Sequence, residues 1–276
     1  MSASARRGNS LLCQVALTVC GEKGVVAVIQ SFFDESFEDD QSFFAVAGYL
    51  FQTSKLRKFE RAWRSMLGGL PYFHMQEINQ IKSQPNGLQI GGVYDGMTAD
   101  DADRLARKAI GLIGEFASHG YIIHVDPREV AANWQHTSII NGPYEACLWN
   151  ALCAAKLWRD EHRPRAGLAY FFEHGGPNQK RAEKTITRLF NDDKEIFGSA
   201  TKAFVPKGCS PAIDAADILC FLALAEFRRQ RRKSKKPARK DFFALVNSVP
   251  TQHAKLDMKL WNDRCIATAN GRLPSQ

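Results

Sequence analysis

The chain has 276 residues, enough to bury a sizeable core as one large domain or two small ones. Its 45% hydrophobic and 24% charged content is that of a soluble globular protein, and no apolar run reaches the roughly 20 residues of a membrane-spanning helix, which excludes a membrane partner at this stage. The net charge of +8 is local: nine basic residues lie in 228–240 (RRQRRKSKKPARK), a run without an acid, and removing them leaves −1.

The first 23 residues hold Arg6, Arg7 and a short apolar stretch that Gln14 interrupts. No small-residue cleavage site follows, so they read as a disordered or mis-called extension rather than a signal peptide. Residues 25–34 (VVAVIQSFFD) are β-branched and aromatic and predict a buried strand. Residues 43–51 (FFAVAGYLF, starting with Phe43) predict a second one, paired to the first through the acidic turn DESFEDD. Thr53 caps a helix over SKLRKFERAWRSML that stops at Gly68-Gly69. YFHM (72–75) reads as a short strand and 76–97 as loop. Thr98 opens a helix with acids in its first turn, which the helix dipole favours, and Gly120 ends it.

From there strands and helices alternate. Strands are expected at 121–127, 168–173 and 201–206. Helices are expected at 143–162, from Pro177 to 190, and from Pro211 to 230, prolines being favoured at first helical positions. FFALVNSV and KLDMKLWNDRCIATA predict two shorter C-terminal helices. The seven cysteines are odd in number and none has C-x-x-C or other zinc spacing, which points to reduced thiols in a cytoplasmic protein.

Acids break this apolar pattern at three places. Asp34 ends the first strand, and Glu173 ends the strand 168–173. Asp214 and Asp217 share one face of an otherwise apolar helix, three residues apart. Taken singly, Asp34 reads as a turn acid, Glu173 as a helix-start acid and Asp214 as a first-turn acid. Asp217, among Ile, Leu and Ala, reads as none of these. Buried carboxylates are costly unless compensated, and the nearest cation in sequence is Lys207. A hard divalent cation compensates several carboxylates at once.

The motifs FFDES, FHMQE (73–77), FFEHG and DAADILCFLA resemble the bacterial and phage family called domain of unknown function 3800, from about Val25 to Arg229. Asp214 stands where that family's helix carries Gln. This makes the helix resemble that of Holliday-junction resolvases of the ribonuclease H-like superfamily, with two aspartates three apart. The resemblance implies an α/β fold with a mixed sheet in the order β-β-β-α-β-α-β-α. It divides the chain into a domain over 24–245, with a helical insertion at 53–119 between strands two and three, and a helical extension over 246–276.

The resemblance also implies a metal-dependent nuclease using Mg2+ or Mn2+. Asp34 would bridge two ions, Glu173 and Asp217 would each hold one, and Asp214 would assist. Glu35 and Asp126 would lie outside them. His74 is a general-acid or substrate-contact candidate, and His174 is ambiguous. Phage defence or mobile-element biology fits the family's company.

Arg228, Arg229, Arg231, Arg232, Lys233, Lys235 and Lys236 read either as a solvated tail or as a strip for a nucleic-acid backbone, DNA or RNA. The competing function is a non-catalytic nucleic-acid-binding or regulatory module on the same fold. A phosphohydrolase of the haloacid dehalogenase type would need Asp-x-Asp after the first strand, where Asp34-Glu35-Ser36 stands.

Overall fold

The apolar strands at 28–37 and 44–52 sit at the centre of the molecule. This computed structural model describes residues 28–37, 43–83, 92–126, 129, 142–174, 179–192, 200–206, 208–233, 235, 237–257 and 259. Strand β1 (Val28–Phe37) pairs antiparallel with β2 (Phe44–Gln52), Phe33 facing Gly48. A Cβ on Gly48 would stand 1.9 Å from the Phe32 carbonyl oxygen, so only glycine lets the two strands run this close. β2 pairs antiparallel with β3 (His119–Val125), giving the antiparallel trio that the sequence predicts. β4 (Gly167–His174) pairs parallel with the other side of β1, and β5 (Thr201–Pro206) parallel with β4. The sixth strand, β6 (Thr251–Leu256), runs parallel to β3, so the sheet order is β5-β4-β1-β2-β3-β6.

Each face of the sheet is covered, so the central strands are apolar on both sides. On one face, Phe32, Ala47, Phe51 and Phe171 pack under α6 (Pro211–Arg231) and the helices joining β2 to β3. These are α1 (Thr53–Leu67), α2 (Met75–Lys82) and α3 (Ala99–Phe116), with α7 (Lys240–Ser248) beside them. The insertion is therefore part of the main core: Phe59, Trp63, Phe73 and Ile113 join the same cluster as Ile218 and Leu222 of α6. On the other face, Phe33, Tyr121, Tyr170 and Phe172 pack under α4 (Pro143–His162) and α5 (Gln179–Asp192). Alternation along β1 and β4 is regular: Phe32 stacks on Phe171 at 4.7 Å on the first face, and Phe33 lies over Phe172 at 6.0 Å on the second.

Several local expectations give way. YFHM is not a strand: residues 72–74 are irregular and Met75 begins α2, which falls in the stretch 76–97 expected to be loop. Its apolar residues Met75, Ile78 and Ile81 are three apart and form one buried stripe. Helix α3 stops at Phe116, not at Gly120, because β3 begins at His119 and Gly120 is paired with Thr251. Thr53 is the first residue of α1 rather than its cap, and its hydroxyl donates to the Val28 carbonyl at 2.9 Å.

The C-terminal extension is not all helical. Residues 251–256 form an edge strand, so the helix expected from Lys255 does not begin there. The expectations for residues 1–23, for 25–27 of the first strand, for the turn at 38–42, for Pro177, for Lys207 and for 260–276 fall outside the described residues.

Candidate functional site

The site begins where the parallel pairing of β1 and β4 stops; β1 itself runs on to Phe37, paired with β2, so Asp34 lies within the strand rather than ending it as the sequence suggested. Phe33 of β1 faces Phe172 of β4, so Asp34 and Glu173, the next residue on each, come out at the same edge of the sheet. Each follows its strand's alternation onto the face of Phe32 and Phe171, the face covered by α6. Asp34 keeps partial exposure as a residue, yet its carboxyl is packed in. Burial first, then the charges of Asp217 and Glu173, push its pKa well above the usual carboxylate range; a backbone N–H of Glu35 works weakly the other way. These three carboxyl groups are thus within electrostatic reach of one another at one edge of the sheet.

Helix α6 brings in the last pair, with Pro211 at its first turn and Ser210 before it. Both aspartates also hold the insertion. The Trp63 indole N–H and the Phe73 backbone N–H donate to Oδ2 of Asp214 at 3.2 and 3.1 Å, and the Met75 N–H donates to Oδ2 of Asp217 at 2.8 Å. Between them, the His74 N–H donates to the Tyr94 hydroxyl at 2.8 Å, and that hydroxyl donates to the Tyr72 carbonyl at 3.0 Å. Three successive backbone N–H groups are thereby tied down, which fixes 72–75 over the acids and caps the start of α2. Asp214 is buried, and burial outweighs its two hydrogen bonds to raise its pKa to about 7.

The remaining candidates separate. His74 lies on the tethered segment; its Nδ1 is 2.6 Å from Oε1 of Glu77, one turn along α2. Glu77 closes the FHMQE motif, which singled out His74 but gave Glu77 no role. Glu35 turns to the opposite face, where it hydrogen-bonds Tyr144 at the start of α4 and helps raise that hydroxyl's pKa. His174 is exposed, and alternation turns it away from the face of Glu173. Asp126, just past β3, lines a separate cavity with Phe43, His124 and Arg228. Cys220 of α6, which no sequence pattern marked, reaches the Asp34 carbonyl at 3.5 Å; burial and the Asp34 charge keep its thiol protonated.

The described cations of the basic run are engaged in different ways. Arg229 is locked onto the buried Glu226 by bonds of 2.9 and 2.6 Å, and Arg239 onto Asp241 and Asn79. Arg228 and Arg231 line the cavity with Asp126. Arg232 closes α6, and Lys233 follows with φ 46°, where the chain leaves the helical direction. Lys235 is exposed, and Lys236 lies outside the described residues.

The donor set at the strand ends is hard oxygen, mutually repelling and poorly solvated, which suits Mg2+ or Mn2+. Among the described residues, no three Asp, Glu, His or Cys side chains stand as a ready-made ligand group. One oxygen each of Asp214 and Asp217 is turned to the insertion. Among the described residues no helix is long and apolar enough to cross a membrane. No protein-family model matches the sequence, and no curated protein is significantly similar to it.

Proposed function

We propose that this chain is a metal-dependent nuclease that hydrolyses phosphodiester bonds through the carboxylates of Asp34, Glu173 and Asp217, with Asp214 at the margin. One observation carries the reading: Asp34 is held in a desolvated position where the charges acting on it most strongly are those of Asp217 and Glu173. Such a cluster, at the carboxyl ends of adjacent parallel strands, is unfavourable for the fold and useful only when something positive or protonated occupies it. Support for a ribonuclease H-like domain related to the domain of unknown function 3800 family comes from the element order. With α1–α3 set aside, β1, β2, β3, α4, β4, α5, β5 and α6 follow the order the resemblance implies.

Asp34, Glu173 and Asp217 are the residues that would hold Mg2+ or Mn2+. When bound, such an ion supplies Lewis-acid stabilisation of phosphoryl oxygens and an activated water. Asp214, with its raised pKa, fixes the insertion rather than serving as a full ligand. His74 is engaged at Nδ1 by Glu77, so Nε2 is the nitrogen that would exchange a proton with the substrate.

A second reading has its own observation. The bonds from Phe73 and Met75 to Asp214 and Asp217 occupy oxygens a catalytic cluster would use, as a non-catalytic nucleic-acid-binding module would allow. Incubating the protein with labelled single-stranded and branched DNA and RNA in Mn2+ or Mg2+ separates the two. Cleavage that Asp34→Asn abolishes supports the nuclease; metal and nucleic-acid binding without turnover establishes the module.

A further inference from the structure

The acid cluster lies toward one end of α6; the other end opens on a cavity of about 170 Å³. Phe43, just before β2, Phe227 of α6 and His124 of β3 form its aromatic wall, with ring centroids 4.1 Å apart for His124 and Phe227 and 5.6 Å for Phe43 and His124. His253 of β6 backs this wall, its Nε2 3.0 Å from Nδ1 of His124. Arg228, Arg231 and Lys255 stand around the cavity beside Asp126, and Lys255 also reaches Glu129. With Glu129 counted, three cations stand against two acids there. Burial, followed by the charges of His253 and Lys255, lowers the His124 pKa to about 4, so its ring is neutral at pH 7.

Size and chemistry narrow the occupant. A cavity of about 150 Å³ holds one six-membered aromatic ring, so this volume admits one base and little more. Aromatic walls accept any base by its π-face, and arginines beside them accept phosphates. Arg228 lies eleven residues beyond Asp217 on the same helix, about 16 Å along its axis, so a strand crossing the acids runs on toward the cavity.

We propose that this cavity takes a single nucleobase of a single-stranded nucleic acid, seated against the wall of Phe43, His124 and Phe227, with the flanking phosphates on Arg228, Arg231 and Lys255. The inference rests on the nuclease reading for the direction of the strand and extends it to a substrate class: single strands, or ends and junction arms with an unpaired base.

The test uses the full chain with EDTA present, so no cleavage occurs. A set of short DNA strands, each with one 2-aminopurine at a different position, is titrated with protein. One position, or one narrow register, should show the fluorescence quenching of a stacked base, and an abasic residue there should weaken binding roughly tenfold or more. Phe43→Leu and Phe227→Leu, checked by circular dichroism, should remove the quenching. The scan itself needs no variant, so a misfolded substitution leaves the proposal testable. Equal fluorescence at every position, no binding of any strand, or a mononucleotide that binds as tightly as the strand overturns the assignment. Cleavage is scored separately with Asp34→Asn: loss of cleavage without a stacked position refutes the cavity alone, and a stacked position without cleavage refutes the nuclease alone.

Discussion

Helix α6 carries Asp214 and Asp217 near one end and Arg228, Arg229 and Arg231 at the other, and the two ends meet their charge differently. Toward the basic end and just beyond it, two cations are matched by nearby acids: Glu226 holds Arg229, Asp241 holds Arg239, and both acids have lowered pKa values. At the acidic end, carboxyls sit beside carboxyls, and Asp34 and Asp214 have raised ones. The first arrangement is what a fold adopts for its own stability. The second stores an electrostatic cost that folding alone does not require, and such a cost marks the place where a ligand is expected.

The largest expected effect breaks the comparison at the acidic end. Asp34→Asn and Asp217→Asn should reduce metal-dependent cleavage to background while raising the metal-free melting temperature, because a repelling charge is removed. Mn2+ should raise the melting temperature of the wild type and not of Asp34→Asn. Calorimetry with and without Mn2+ reads both; a wild type indifferent to metal would remove the basis for the cluster.

A pH dependence comes next. The folded Asp214 carboxyl has a pKa of about 7 against the ordinary 3.8, so between those values the native state binds more protons than the unfolded chain. Its contribution to stability therefore falls as pH rises through that window, by about 1.4 kcal/mol per pH unit. Asp34 acts in the same direction. Asp214→Asn keeps an acceptor for Trp63 and Phe73 and loses the charge. It should match the wild type near pH 4 and exceed it by a few kcal/mol at pH 8 in urea denaturation. A wild type whose stability climbs between pH 5 and 8 in parallel with the variant would contradict this.

Trp63→Phe probes the tether with a smaller effect. It keeps an aromatic ring beside Phe59 and Phe73 and deletes the indole donor, at a cost of about 1.5–3 kcal/mol for a hydrogen bond to a charged group. That loss should be seen at pH 8 and should shrink at pH 5, where Asp214 is protonated. A pH-independent loss would mean that packing, not the bond, was removed.

Much of the architecture is legible in the sequence because it is written in local patterns. β2 and β4 are apolar runs buried on both faces, β1 is rich in β-branched and aromatic residues, and α6 announces its start with Pro211. β6 is not legible: TQHAKL is an edge strand exposed over most of its length, so no apolar face marks it. α2 hides because its stripe is only eight residues long and lies between irregular segments. At the site, the acids Asp34, Glu173 and Asp217 stand out as breaks in apolar runs. The tethering role of Asp214 does not, because Trp63 and Phe73 lie 151 and 141 residues away and no periodicity links them. The pairing within the basic run is not legible for the opposite reason: nine charges within thirteen residues conceal that Glu226 and Asp241, the latter just beyond the run, hold two of them.

The smallest expected effect sharpens the basic end. If the run tracked a backbone as a whole, neutralising it to Gln would reduce the slope of log affinity against log salt by roughly 4, about half its charges contributing at ~0.9 each on duplex DNA. The fold assigns unequal parts. Arg228 and Arg231 stand at the cavity, so replacing both with Gln should reduce the slope by about 1.4–1.8, at ~0.7–0.9 per phosphate. Arg229→Gln breaks the bond to Glu226 and should lower stability with almost no change in slope. Fluorescence anisotropy of a labelled oligonucleotide at four salt concentrations measures all three proteins. Equal slopes for the wild type and the double variant would return the run to a solvated tail. A fall for Arg229→Gln as large as for the pair would show that phosphate attraction is spread along the whole run, and that the ion pair with Glu226 opens when a strand arrives.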